Sequence, residues 1–369
     1  MPYNFELPLI TDLTPDQQTV LNYAEAVAVS GGPGTGKSVI GLWRHIRNYD
    51  TGNAKSLLLT YTVSLERFLK ETCRTINEEA ANNVNRTFRY TTGTDQQQYD
   101  EIIVDEAQDV NIERYEIIRR NANRVSYTTD DNQILYPEQS TKSEQLHNVF
   151  GNQTFTLRTN FRNTHEITRF VRSLFPDHII QDGNSNGPIP QLIHTDNDED
   201  DQLQAIIDII NTYQDPTHNI AVLDPFQNGV RKLRQKLSDR GINCSYYVNE
   251  ADNLNQIERV HVTTFKSCKG LEFNTIIVPN FASYSWWLRE RPNIVTENDI
   301  YVVLTRSKNN VFLINNSPNY YSKKNMAPLA IPLQRGTVQE EDYVPNQQIQ
   351  NNQQQNNNPI IDDDDDLPF

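Results

Sequence analysis

The chain has 369 residues, with 33 Lys and Arg against 48 Asp and Glu, a net charge of −15 and 36% hydrophobic residues. That length suits two domains, each able to bury a core, while the acidity excludes a broad basic surface and confines any nucleic-acid contact to a local groove. No apolar run nears 18 residues and no basic stretch precedes an apolar one at the N-terminus, and the three cysteines (Cys73, Cys244, Cys268) form no C-x-x-C pair, so we expect no membrane span, secretory leader, disulfide framework or zinc site, and a cytoplasmic location.

Taken in chain order, the first strand is predicted over 26–30, in Ala26-Val27-Ala28-Val29. Gly31-Gly32-Pro33-Gly34-Thr35-Gly36-Lys37-Ser38 follows, holding four of the 14 glycines and fitting G-x-x-x-x-G-K-[ST]. A helix over 38–48 comes next. Strands are then expected over 56–61, 101–105, 124–129 and 154–158, with helices over 64–79, 111–121 and 163–174. The second half repeats the alternation: strands over 190–194, 219–223, 258–264, 275–279 and 310–315, helices over 200–213, 226–240 and 297–307. Strands alternating with helices predict α/β architecture, with parallel sheets covered on both faces. The blocks divide near residue 160, giving domains over 1–160 and 161–335. Residues 336–369 change character and are expected to form a disordered Asn/Gln-rich linker and an acidic tip. Positions 346–358 are Asn or Gln except Ile349, a composition expected to form a disordered linker.

The Gly-rich loop is built to hold a polyphosphate. Glycine lets several backbone N–H groups converge on phosphate oxygens, and the following helix N-terminus attracts anions. Lys37 brings a point charge to the β/γ-phosphates and the Ser38 hydroxyl a ligand for Mg²⁺. Gly32, Pro33, Gly34, Thr35 and Gly36 form the cradle, and ATP with Mg²⁺ is the expected cofactor pair. Ile102-Ile103-Val104-Asp105-Glu106 reads as a buried strand ending in two carboxylates. Asp105 is expected to hold Mg²⁺ and Glu106 to polarise the attacking water as general base.

Asp105-Glu106-Ala107-Gln108-Asp109 resembles the acidic motif of superfamily 1 helicases of the UvrD/Rep/PcrA type, and further stretches resemble that family's motifs in order. Leu13-Thr14-Pro15-Asp16-Gln17 resembles the Q motif, which implies that Gln17 reads the adenine edge. Leu57 to Thr62 is similar to the motif that places an aromatic, here Tyr61, in the single-strand groove. Thr129 to Tyr136 resembles G-D-x-x-Q-S-I-Y, implying that Gln133 senses the γ-phosphate and Tyr136 faces the strand. Asn160-Phe161-Arg162-Asn163 resembles N-Y-R-S, with Phe161 stacking on adenine and Arg162 clamping phosphate. Thr264 to Phe273 resembles T-x-H-x-x-K-G-L-E-F, implying ribose contact by Glu272 and nucleic-acid contact by Thr264 and Lys266. Val302 to Lys308 resembles V-A-L-T-R-A and makes Arg306 an arginine finger. The likeness spans residues 13–308 and implies two RecA-like domains that share one ATP, a DNA helicase or translocase working on single-stranded DNA in repair or replication, 3′ to 5′ polarity and a monomer. RNA stays open as a substrate, because the implied contacts do not distinguish ribose from deoxyribose.

The chain departs from that family in places. Residues 63–99 are too few for its usual first insertion, and 164–257 already hold a strand–helix–strand–helix run in place of the second, which bears on duplex unwinding more than on hydrolysis. Thr129 stands where the family has Gly, Pro137 and Glu138 follow Tyr136 without the family's Trp, and Lys266 replaces a His. Those departures support an alternative, a nucleotide-dependent DNA-binding switch or recruiter. Asp362 to Phe369 resembles the C-terminal tip of bacterial single-stranded-DNA-binding protein. By that resemblance Asp364, Asp365, Asp366, Leu367, Pro368 and Phe369 dock on proteins that read such a tail, Phe369 filling an apolar pocket while aspartates meet a basic ridge.

Overall fold

A computed structural model describes residues 7–51, 54–94, 96–195, 199–249, 256–316 and 327–345. Of the tail expected to be disordered over 336–369, residues 346–369, including the acidic tip, lie outside the described residues.

The first sheet comprises β1 (Val27–Gly31), β2 (Ser56–Thr60), β3 (Val84–Arg86), β4 (Tyr99–Val104), β5 (Ala122–Thr129) and β6 (Gln153–Leu157), in the order β3-β2-β4-β5-β1-β6. β7 (Asn160–Thr164) and β8 (Gly183–Ser185) form a short ribbon between the sheets. The second sheet comprises β9 (Gln191–His194), β10 (Ile220–Asp224), β11 (Ser245–Tyr247), β12 (Val260–Thr264), β13 (Phe273–Val278), β14 (Ser307–Asn315) and β15 (Gln339–Asp342), in the order β11-β12-β10-β13-β14-β9-β15. Every pairing in both sheets is parallel. The result is mixed α/β with two RecA-like parallel sheets.

Continuous apolar runs explain why helices cover both faces. Successive strand side chains point to opposite sides. In β4, Ile103 joins the core that runs between the sheets, while Ile102 and Val104 join a core behind the first sheet. In β10, Ala221 and Leu223 face the shared core, and Ile220 and Val222 face a third cluster behind the second sheet. The shared core carries Leu65 and Phe68 from the first half and Phe265 and Leu271 from the second. Apolar packing therefore holds the two sheets together.

Some elements differ from expectation. The helix predicted over 64–79 stops at Arg74, and Asn77 caps a new helix, Glu78–Asn82, by accepting from the Ala80 N–H. The helix predicted over 297–307 ends at Leu304, and its last residues become a turn into β14. The strands β3, β8 and β11 have three residues each, too few to show a period. The second sheet also continues beyond residue 335. Edge strand β15 pairs with β9, and its exposed acids are tied by Glu340 to His194 at 2.8 Å. Backbone hydrogen bonds rather than buried side chains hold this edge, so hydropathy misses it. Among the described residues no helix is long and apolar enough to cross a membrane.

Candidate active site at the junction of the two sheets

The Gly-rich loop leaves the C-terminal end of β1 and enters helix Lys37–Asp50. Gly34 and Gly36 take left-handed φ values of 71° and 89°, which a side chain would strain. A Cβ on Gly34 would also collide with Asn160 Oδ1. The loop carbonyl of Gly34 accepts from the Phe161 N–H at 2.9 Å. The ribbon strand β7 is thus fastened to the loop by backbone.

Lys37 Nζ donates to the carbonyls of Gly31 and Gly32 at 2.7 and 2.9 Å and lies 3.6 Å from Asp130. The Ser38 hydroxyl donates to Asp105 Oδ2 at 2.8 Å, and Thr128 donates to Asp105 Oδ1 at 2.6 Å. Ser38 and Asp105 thus bring hard oxygen donors together, the donor set that suits Mg²⁺. Glu106 has φ 54°, a left-handed turn that swings its carboxylate off the strand end. Burial, then the neighbouring charge of Glu106, pushes Asp105 up to about 6. Burial acts the same way on Glu106, but Lys269 foremost, with Lys37 and Arg306, overrides it and holds Glu106 at about 2. The two carboxylates are thereby set apart.

The second sheet supplies cations to the same cleft. Arg306 is buried, and its Nη2 donates to Gln133 Oε1 at 2.6 Å. Gln133 Nε2 donates to Asp130 at 2.6 Å. An unbroken polar chain therefore runs from Arg306 through Gln133 and Asp130 to Lys37. Burial pulls Arg306 down to about 10, which leaves it charged at neutral pH. Arg162 Nε donates to Glu272 at 2.9 Å, and Lys308 meets the other oxygen of Glu272 at 2.8 Å. Burial opposes ionisation of Glu272, yet Lys308 and Arg162 hold it at about 2. Lys37, Ser38, Glu106, Gln133, Phe161, Arg162, Glu272 and Arg306 all line one cleft of about 310 Å³.

Gln17 also lines this cleft, but its amide is turned to the protein. Oε1 accepts from the Thr14 N–H at 3.0 Å, and Nε2 donates to the Thr35 carbonyl at 3.1 Å. The residues expected to contact nucleic acid, Tyr61, Tyr136, Thr264 and Lys266, are not among those lining the cleft. Tyr61 and Tyr136 pack with ring centroids 5.6 Å apart. Lys266 Nζ sits 4.5 Å over the Tyr136 ring and donates to the Leu135 carbonyl at 3.0 Å, bridging the sheets. Thr264 Oγ1 is occupied with the N–H and hydroxyl of Ser267. Trp287 is buried against Phe265 at 5.8 Å, and Trp286 is partly buried.

Lys269 is a residue the motif reading left without a role. It is 1% exposed, and its Nζ meets Asp109 and the Gln133 carbonyl at 2.6 Å each and Glu106 at 3.6 Å. Burial would discharge it, but Asp109 and Glu106 raise its pKa and keep it charged. Its sole sequence signal was its place in Thr264 to Phe273. Thr128 carries no sequence signal, because a hydroxyl near a strand end is common, and Asp130 is marked only as part of Thr129 to Tyr136.

With this geometry in place, a family model described as Schlafen group 3, DNA/RNA helicase domain, matches residues 24–188. No curated protein matches the chain. Among solved structures, S. cerevisiae Dbp5 bound to RNA and ADP BeF3 is 12% identical, with a TM-score of 0.56 over 89% of each chain. A point variant of Dbp5, bound to the same ligands, has a TM-score of 0.55 at 12% identity, over 90% of this chain and 94% of that one. The C-terminal domain of a possible DNA helicase from Lactobacillus plantarum is 19% identical, covering 49% of this chain and 99% of that chain, with a TM-score of 0.36. The chain has a helicase-like fold. At these identities the structural likeness is one of architecture.

Proposed function

We propose that this protein is an ATP-dependent motor of the UvrD/Rep type that moves on single-stranded DNA, 3′ to 5′. The observation that carries the reading is the polar chain from Arg306 to Lys37: cations of the second sheet and the phosphate loop of the first meet over one cleft. Neither sheet alone surrounds a γ-phosphate. ATP bound here would draw the lobes together and hydrolysis would release them, and a cleft that cycles once per ATP moves a strand lying across both. Gly32 to Ser38 would cradle the phosphates and Ser38 and Asp105 would hold Mg²⁺, which supplies charge neutralisation at the transferred phosphoryl group. Glu106, kept ionised, is suited to take a proton from the attacking water. Phe161, 44% exposed at the rim, offers a face to the base.

Tyr61, Tyr136, Thr264 and Lys266 are the groove residues in this reading, with RNA as the other substrate to be tested. The domain limits of 1–160 and 161–335 belong to the same proposal, with β15 added to the second unit. The protein works in DNA repair or replication, and the acidic tip recruits proteins that read the tail of single-stranded-DNA-binding protein. Deleting 359–369 then abolishes that binding while leaving hydrolysis intact.

The deciding experiment is ATP turnover measured alone and with single-stranded DNA, duplex DNA and RNA. Stimulation by single-stranded DNA and loss of turnover in Lys37→Ala are expected. Wild-type turnover that no single strand stimulates would rule out the motor.

A further inference from the structure

Resting on the nucleotide site just proposed, we infer that Lys308 is a positioning residue for the phosphate clamp: by offsetting the charge of Glu272 it leaves Arg162 a cation toward the triphosphate. Glu272 accepts from Arg162 Nε through one oxygen at 2.9 Å and meets Lys308 Nζ through the other at 2.8 Å. All three side chains line the nucleotide cleft. Those of Arg162 and Glu272 are 15% and 18% exposed, shielded enough from water for their charges to act at short range. Glu272 stays ionised at neutral pH. An Arg–Glu pair by itself is neutral, and a neutral wall attracts a polyphosphate weakly. Lys308 adds a second cation, so the group of three is positive.

The backbone is shaped to bring Lys308 there. Phe273 of β13 pairs with Ser307 of β14, and the next pairing joins Thr275 to Asn310. Across this step β14 carries one residue more than β13, a β-bulge at Lys308-Asn309. A bulge breaks the alternation of a strand and re-aims a side chain, and bulges gather beside active sites. Ser307 braces this one, its hydroxyl donating to the Asn310 carbonyl at 2.7 Å. Asn163, the chain neighbour of Arg162, is buried, and its Nδ2 donates to the carbonyls of Thr305 and Ser307 at 3.2 and 2.7 Å. The strand bearing Arg162 is thereby fastened to the residues on either side of Arg306, one step from Lys308. The Arg306 guanidinium feels the charges of both Arg162 and Glu272. The three charged groups therefore hold fixed places beside the finger.

The test is calorimetric titration of the full chain, with Mg²⁺ present, using ATP and tripolyphosphate, a probe that has neither sugar nor base. Lys308→Met is expected to weaken both ligands by about tenfold. Adding Glu272→Gln to Lys308→Met removes the charge that Lys308 offsets, and is expected to recover the affinity for tripolyphosphate. Lys308→Arg, which keeps the cation, is expected to retain it. A merely structural role for Lys308 would not be relieved by a second substitution at its partner. Lys308→Gln stands in if the methionine variant unfolds. Tripolyphosphate affinity unchanged on loss of the Lys308 charge, or a loss that Glu272→Gln leaves in place, overturns the inference. Wild type that binds neither ligand would instead strike the nucleotide site itself, and this inference with it.

Discussion

Arg306 reaches the cleft with its guanidinium already fixed, Nε on the Val302 carbonyl at 3.1 Å and Nη2 on Gln133. A charge held in advance needs no reorganisation when negative charge develops opposite it. Arg306→Ala is therefore expected to lower turnover by about 10³ while changing nucleotide affinity little, as read by single-turnover hydrolysis beside equilibrium binding. A variant that loses affinity and turnover equally would show Arg306 to be a ground-state clamp. Asp224 illustrates a cost the fold carries. It ends β10, its Oδ1 accepts from the Phe226 N–H at 2.8 Å, and burial pushes it up to about 6. With the folded value above the unfolded one, the buried charge destabilises above pH 6, and the penalty fades as pH falls toward 4. Asp224→Asn keeps the acceptor and loses the charge. It is expected to stabilise by about 2–3 kcal/mol at pH 7.5, with the gain shrinking through pH 5, in urea titrations at each pH.

At the scale of elements, the phosphate loop is held from two sides, by Gln17 from the helix before β1 and by β7 from the ribbon between the sheets. Gly34 bears both constraints, a left-handed φ of 71° and contact with Asn160 and Arg162 where a Cβ would go. Gly34→Ala is expected to weaken ATP binding by about five- to thirtyfold, since the left-handed strain alone is about 1–2 kcal/mol. Unchanged affinity in a calorimetric titration would mean that the loop has slack. Helix Glu297–Leu304 shows how a boundary decides chemistry. Thr296 caps its start, and at its end the Thr305 hydroxyl bonds back to the Tyr301 and Val302 carbonyls. The turn that follows aims Arg306 at Gln133; two more helical residues would carry it elsewhere.

Across the whole molecule, the lobes are joined by the shared core and by Lys269, Lys266 and Arg306. Lys269 matters most to stability, because its removal leaves buried carboxylates uncompensated. Lys269→Met is expected to cost about 3–5 kcal/mol in chemical denaturation. The three tryptophans place reporters in both lobes, Trp43 with the first sheet and Trp286 and Trp287 with the second. In wild type, variants retaining only one set should unfold at the same urea concentration. In a Lys269→Met background the two reporters should separate; coincident curves there would show that apolar packing alone couples the lobes.

How far the sequence reaches depends on the range of the force concerned. The phosphate loop, the strand that ends in Asp105 and Glu106 and the α/β alternation are local, written in consecutive residues by glycine freedom, hydrophobic period and strand-end acids. Those features were legible without coordinates, and so was the order of motifs that placed Arg162, Glu272 and Arg306 on the second half. The partner of each charge was not. Lys269 on Asp109, Arg306 on Gln133, Glu272 between Arg162 and Lys308, and Gln17 committed to Thr14 and Thr35 are settled only by packing. Edge strand β15 was hidden for the same reason: its acids carry no apolar signal and its place depends on a neighbour far away in the chain. Composition along the chain set which groups were available, and tertiary contact chose which of them lost water and which charge each then had to meet.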